Sequence, residues 1–295
     1  MLALVQACDS AVYGDSDWTA AELREEWEGL NLDADAWVAV EDGRLAGVLH
    51  VYERRGSRVL ADGYVHPDLV GRGAGSLLLE AAEGRAVELG EAVPPNEPLS
   101  IETAHLVGDS RAPELLSGRG YGRVRTFLRM VADIGGELPD PSWPGGLELR
   151  PLEPGRDGRR VQATVDEAFE HEWGYEPRDY DSWFARVFGV ERFDPELCPI
   201  VWDGDEIAAV SLNYEKRLGN WGWIGTLAVR QAWRERGLGL ALLRESFRRF
   251  ADRGETTAAL GVDSENPTGA TRLYERAGMR VLWRADVWRK DLRPA

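Results

Sequence analysis

With 295 residues the chain exceeds one ordinary core and suits two domains, and its 43% hydrophobic and 9% aromatic content excludes wholesale disorder. A formal net charge of −16 excludes general affinity for nucleic acid or anionic membrane and favours a small-molecule or soluble partner. Cys8 and Cys198 are too few for a disulfide framework, no apolar run approaches a membrane span, and the first residues lack a leader pattern, so a reducing cytoplasm is expected. Lys216 and Lys290 are the only lysines among many arginines, a bias that points to a GC-rich bacterial genome.

Met1 leads into LALVQACDSAVYG (residues 2–14), which reads as helix with no strand before it. Next comes YVHPDLVGRGAGSLLLEAAEGRAVELG (64–90), a strand end, a glycine turn and a long helix. EAVPPNEP (91–98) is a loop, and APELLSGRGYGRV (112–124) a short helix running into a turn and strand. DIGGELPDPSWPGG (133–146) is rich in glycine and proline and reads as a linker. LELRPLE (147–153) is a strand, and AAVSLNYEKR (208–217) and WGWIGTLAV (221–229) are two more. In the stretch that follows, Leu240, Leu243, Phe247 and Phe250 recur at helical spacing behind Arg234-Glu-Arg-Gly237-Leu-Gly239. NPTGATRLYERAGM (266–279) and RADVWRKDL (284–292) complete the chain, the latter as a strand.

Two of these blocks repeat. Gly75 and Gly239 lie 164 residues apart in matching strand–turn–helix units, and Gly120 and Gly278 lie 158 apart in matching later blocks. The extra loop at 91–98 accounts for the difference. The expected organisation is a first lobe over 1–134, a linker over 135–146 and a second lobe over 147–295, each an α/β unit with a mixed sheet. The first lobe is one strand short at its start, or its true start lies upstream. The sheet edge left bare should then be shielded by a linker segment, the C-terminal strand or a second chain.

Residues 230–253 hold seven arginines against Glu235, Glu245 and Asp252, a basic island in an acidic chain. A solvated helix face would look similar. The glycines at the N-terminal end favour anion binding, because a helix start offers unpaired N–H groups and partial positive charge. Those residues read as a phosphate cradle.

The strand–Arg-x-x-Gly-x-Gly–helix unit, followed by the Asn–Ala–Leu-Tyr–Gly block at 266–279, resembles the GNAT superfamily of acetyl-CoA-dependent N-acetyltransferases. The doubled form is similar to its tandem members of the mycothiol synthase type. The resemblance covers both halves and implies two tandem GNAT-like lobes. It places the pyrophosphate loop on Arg234, Glu235, Arg236, Gly237, Leu238, Gly239 and Leu240. It places the pantetheine arm along Leu227, Ala228 and Val229, whose N–H groups would also polarise the thioester carbonyl. Asn266 and Arg272 would flank the groove, and Tyr274 would protonate the leaving thiolate.

The family often takes its general base from the strand before the cradle, and WGWIGT (221–226) has no carboxylate. Glu215, His171 and Glu172 are the remaining candidates. Trp173, Tyr175 and Tyr214 are expected to form an aromatic acceptor wall, with His171 and Glu172 nearby, suited to a cationic amine or amino sugar. The first copy has Val70 where the second has Arg234, and Leu116 where it has Tyr274, which implies a degenerate first lobe beside a working second.

The four histidines show no ligand spacing, so no metal is expected. Neither glycine turn carries a dinucleotide or ATP-loop signature. The leading expectation is a cytoplasmic acetyl-CoA-dependent N-acetyltransferase of a small amine, monomeric or homodimeric. The competing readings are a non-catalytic acyl-CoA sensor and an acetyltransferase of protein N-termini or lysines.

Overall fold

The computed structural model describes residues 1–14, 16, 18–28, 30–215 and 221–294, and the chain divides into two units. The first comprises Met1–Phe127 with the segment from Trp283 onward, and the second Leu128–Leu282. The glycine- and proline-rich stretch at 135–146 therefore falls inside the second unit's span.

The first unit opens with helices α1 (Leu2–Tyr13), α2 (Ala20–Trp27) and α3 (Leu32–Asp35), with no strand before them. Strands β1 (Ala36–Glu41), β2 (Arg44–Arg55) and β3 (Arg58–Val65) form an antiparallel meander. Helix α4 (Ala74–Leu89) crosses to β4 (Leu99–Leu106), which runs parallel to β3. Helix α5 (Ala112–Gly118) and strand β5 (Gly122–Asp133) follow, β5 passing into the second unit at Leu128. Alternation decides the faces. Leu49, Val51, Val59 and Ala61 pack on Leu78, Leu79, Ala82 and Ala86 of α4, while their strand neighbours point to the other side.

The second unit repeats the plan with one strand more. Strand β6 (Glu148–Arg150) pairs antiparallel with β7 (Ile200–Asp203), realising part of the strand expected over 147–153. Between them lie α6 (Pro154–Phe169) and α7 (Tyr180–Phe188). Strands β8 (Glu206–Tyr214) and β9 (Gly222–Val229) complete the meander; residues 216 and 217 of the expected strand fall outside the described residues. Helix α8 (Leu238–Asp252) leads to β10 (Thr257–Asp263), parallel to β9, and α9 (Ala270–Arg276) to β11 (Arg280–Arg293). Val210, Leu212 and Ala228 face α6 and α7, and Val201, Ala208 and Ala209 face Leu238 and Leu242 of α8.

The C-terminal strand does not shield the outer edge of β1. Beyond Trp283 it pairs antiparallel with β4, where Trp288 and Leu292 bury against the first unit's core. The bare edge is β1, on the far side of β2 and β3, and its Val38 and Val40 are 58% and 63% exposed.

Candidate active site

In the second unit, β9 is paired along β8 but only briefly along β10. Its ladder with β10 covers Gly222–Ile224 against Ala258–Leu260 and stops there. A bulge helps to turn it away: Leu212 faces Thr226, the next partner of β8 is Ile224, and Gly225 is left over. Only glycine fits that place, because a Cβ would sit 2.6 Å from the Tyr214 ring. Leu227, Ala228 and Val229 thus run on with one backbone edge unpaired to β10, available to an extended amide-bearing ligand.

That free edge leads through a short helical turn at Gln231–Trp233 to the start of α8. Glu235 and Gly237 both take left-handed conformations, with φ of 62° and 81°. Glutamate does so at a cost, the kind of strain that a functional turn retains. No side chain caps α8, and Ala241 N–H is bonded to the carbonyl of Gly237. The first-turn N–H groups of Leu238 and Gly239 are left to an external acceptor, and the helix dipole favours an anion there. Arg236 is exposed beside this start, and Arg272 is exposed on α9.

Arg234, which the resemblance places in the pyrophosphate loop, is also bonded into the fold. Its Nε donates to the Val229 carbonyl at 3.0 Å and its Nη2 to the Ala168 carbonyl at 2.9 Å. The guanidinium ties the end of β9 to the last turn of α6, where a cation suits the helix terminus. A second tie lies alongside: Glu167 of α6 accepts from Arg230 Nε at 2.6 Å and from the Gln231 amide at 3.2 Å. These bonds shape the loop from behind. Arg236 and Arg272 are the cations left open to an anion, with no ion pair recorded for either among the described residues.

Helix α9 is set by contact with α8. An added Cβ at Gly239 would lie 3.2 Å from Leu273, so this glycine serves close helix packing. Tyr274, the next residue, is only 8% exposed and joins the core with Phe247, Val262 and Met279. Burial, with a smaller contribution from the nearby Glu172 carboxylate, pushes its hydroxyl up to about 12. It holds its proton throughout the neutral range. Glu172 reaches this position from the loop after α6, held by Asn266, whose Nδ2 donates to its Oε1 at 2.7 Å. Asn266 is itself fixed, its Oδ1 accepting from the Thr268 amide and hydroxyl. Tyr274, Glu172 and Asn266 are therefore gathered together.

Other candidates lie elsewhere. Glu215 bonds Arg253 at 3.5 Å, just past the C-terminal end of α8. The 15 residues of α8 separate that end from the glycine turn by roughly 21 Å. Tyr214 donates to the Val187 carbonyl and packs on Phe193, and Tyr175 donates to Asp166 and packs on Phe169. Both hydroxyls are engaged with the fold. Trp173 is half-buried in the loop beside Glu172, and His171 is exposed there. Among the described residues no cluster of side chains has metal-ligand geometry.

The acetyltransferase (GNAT) family model matches residues 2–96 and 160–279. The chain belongs to the GNAT acetyltransferase family. A mycothiol acetyltransferase of Thermobispora bispora is 32% identical over 237 residues, covering 76% of this chain and 72% of that protein. A GCN5-related N-acetyltransferase from Sphaerobacter thermophilus superposes with a TM-score of 0.89 at 34% identity, covering 100% of this chain and 92% of that one. A tandem GNAT protein from the clavulanic acid biosynthesis pathway shares the fold, with a TM-score of 0.71 at 15% identity over 99% of this chain and 94% of its own.

The protein is thus an N-acetyltransferase built of two GNAT units, and the comparison between its units is informative. Gly71 and Gly73 hold the two left-handed positions that Glu235 and Gly237 hold in the second unit. Gly75 packs on Leu115 as Gly239 packs on Leu273. Val70 and Leu116, in place of Arg234 and Tyr274, provide neither the carbonyl tie nor the hydroxyl. Sequence reading missed the direction of Arg234 and the Glu172–Asn266 bond. The first had no local signal, and the second joins residues 94 positions apart.

Proposed function

We infer that the second unit transfers the acetyl group of acetyl-CoA to a small primary amine, an amino sugar among the candidates. The observation that carries this reading is the continuity of the Leu227–Val229 edge with the uncapped start of α8, beside buried Tyr274. Acetyl-CoA has a diphosphate for the N–H groups of Leu238 and Gly239 and for Arg236 and Arg272, and amides for the strand edge. The similarity to a mycothiol acetyltransferase supports a small-molecule acceptor.

Within this reading Glu172 takes the proton that a protonated amine must lose before attack, and Asn266 keeps its carboxylate aimed. Backbone N–H groups at Leu227–Val229 stabilise the charge that grows on the thioester carbonyl. The amine forms its C–N bond, the C–S bond breaks, and Tyr274 gives its proton to the departing thiolate. A hydroxyl held at about 12 stays protonated until that moment. No described helix is long and apolar enough to cross a membrane, and Cys8 and Cys198 are free thiols.

The deciding experiment is a screen of amines and amino sugars with acetyl-CoA, read as free thiol. Turnover with a primary amine is expected. Turnover only with protein N-termini or lysines would replace the small-molecule acceptor by a macromolecular one.

A further inference from the structure

The first unit buries a histidine where the second buries a leucine. In each unit the third residue back from the strand end that leads into the glycine turn has a partner directly across on the neighbouring strand. In the second unit this pair is Thr226 and Leu212, and Leu212 joins the apolar cluster beneath α6 and α7. In the first unit the same register holds Asp62 and His50. Side chains opposite one another on adjacent strands share a face and come within about 5 Å at Cβ. The repeated fold shows that this place accepts an apolar residue, so the polar pair needs another reason.

His50 is 2% exposed, and neither ring nitrogen has a hydrogen-bond partner among the described residues. A buried polar group left without a bond destabilises the fold. It does not bond to Asp62 across the ladder, although the register brings them together. The Nε1 of Trp27, whose ring meets the imidazole edge-on at 5.7 Å, is also buried and unpartnered. Tyr52 lies 5.9 Å away on the same side and is 44% exposed. Asp62 is half-buried, accepts from the Gly63 amide and the Tyr64 hydroxyl, and has no recorded cation partner among the described residues. Exposure rises along the cluster, from 2% at His50 to 44% at Tyr52.

We propose that Asp62, His50, Trp27 and Tyr52 form a binding site in the first unit for a small molecule bearing a primary ammonium group. The ammonium donates to the Asp62 carboxylate and to the unprotonated nitrogen of His50, and the faces of Trp27 and Tyr52 receive its charge and its apolar body. An anion is disfavoured by Asp62, and a purely apolar ligand would leave His50 and Asp62 unmatched. Leu116, in place of Tyr274, makes this a site for binding without a proton donor for thiolate release. The inference is independent of the acceptor assigned to the second unit.

The test is a titration of the full chain, with 15N-labelled histidine, by methylammonium, ethanolammonium and benzylammonium chlorides, each compared with its alcohol. His50 signals are identified by their loss in His50→Asn. A saturable shift of those signals with at least one ammonium and not with its alcohol is expected, weakened roughly tenfold or more in Asp62→Asn. The same shift must persist in Tyr274→Phe, which separates this site from the one in the second unit. His50 signals indifferent to every ammonium at millimolar concentration, or equally responsive to the alcohols, would overturn the proposal. Circular dichroism of Asp62→Asn keeps the comparison valid; should that variant unfold, Tyr52→Ala replaces it, with weakened binding again expected.

Discussion

Asn266 holds Glu172 at 2.7 Å, joining the loop after β10 to the loop after α6 beside the buried Tyr274. The bond has a testable consequence. Asn266→Ala releases the carboxylate without removing it, so kcat/KM for the amine should fall about tenfold, the scale of one hydrogen bond to a charged group. Glu172→Gln removes the base and should cost more, about 10²-fold or beyond. Steady-state kinetics at saturating acetyl-CoA measure both. Full activity in Asn266→Ala would show that Glu172 is not positioned by this bond.

Gly239 and Leu273 set how closely α8 and α9 approach. Gly239→Ala should push α9, and Tyr274 with it, by a few tenths of an ångström. The expected result is a stability loss of about 1 kcal/mol, from the low end of overpacking costs, together with reduced kcat. Leu273→Ala in the same chain reopens the space and should restore part of the kcat. Denaturation and kinetics on the two variants suffice, and no recovery in the double variant would argue against this contact.

Two arginines of one motif should behave differently. Arg234→Ala loses bonds to two carbonyls and should lower stability by about 1–3 kcal/mol while weakening acetyl-CoA indirectly through the loop. Arg236 is exposed, so Arg236→Ala should leave stability unchanged and weaken acetyl-CoA most at low salt. Val70→Ala should do little to acetyl-CoA binding. Calorimetry at two salt concentrations and thermal melts separate the cases. Equal stability in Arg234→Ala and the parent would refute the structural role.

The pair in the first unit titrates in opposite senses. Burial lowers His50 to about 4, so the fold excludes a proton that the unfolded chain binds below its ordinary 6.5. His50 therefore removes stability as pH falls from 6.5 towards 4. Burial raises Asp62 to about 6 from an ordinary 3.8, so the folded chain binds that proton more tightly and gains stability as pH falls through 6. The two effects oppose each other in the parent. Relative to it, His50→Phe should gain stability between pH 7 and 4.5, and Asp62→Asn should lose it. Urea midpoints at the two pH values provide the check, and parallel pH dependence in all three proteins would contradict it.

The parts legible in the sequence were those written locally. The glycine turn, the amphipathic α8 and the apolar β9 each sit within a few residues, and the repeat marks both units. The Leu227–Val229 edge of β9 was named only through the family resemblance, since where the β10 ladder stops depends on a strand some thirty residues away. What was illegible depends on distance. The position of Glu215 beside Arg253 depends on how β8 and α8 pack, which no neighbouring residue announces. The engagement of Tyr175 by Asp166 and of Tyr214 by Val187 depends on how α6 and α7 pack. The path of β11 along β4 is set by where Trp288 and Leu292 find an apolar core. A bare edge on the first unit's sheet was foreseen, and of the covers expected for it (a linker segment, the C-terminal strand or a second chain) the C-terminal strand pairs with β4 instead.

The most direct test of the central claim is the kcat of Tyr274→Phe with the best amine from the screen, under conditions where chemistry limits the rate. The change removes one oxygen and keeps the packed ring, so acetyl-CoA affinity and folding should persist. General acid catalysis is worth about 10²–10⁴-fold, and a thiolate leaves readily, so a fall in kcat of about 10²-fold is expected. Leu116→Ala, measured beside it, should leave kcat unchanged. An undiminished kcat in Tyr274→Phe, or a loss of turnover in Leu116→Ala, would contradict the assignment of acetyl transfer to the second unit through Tyr274.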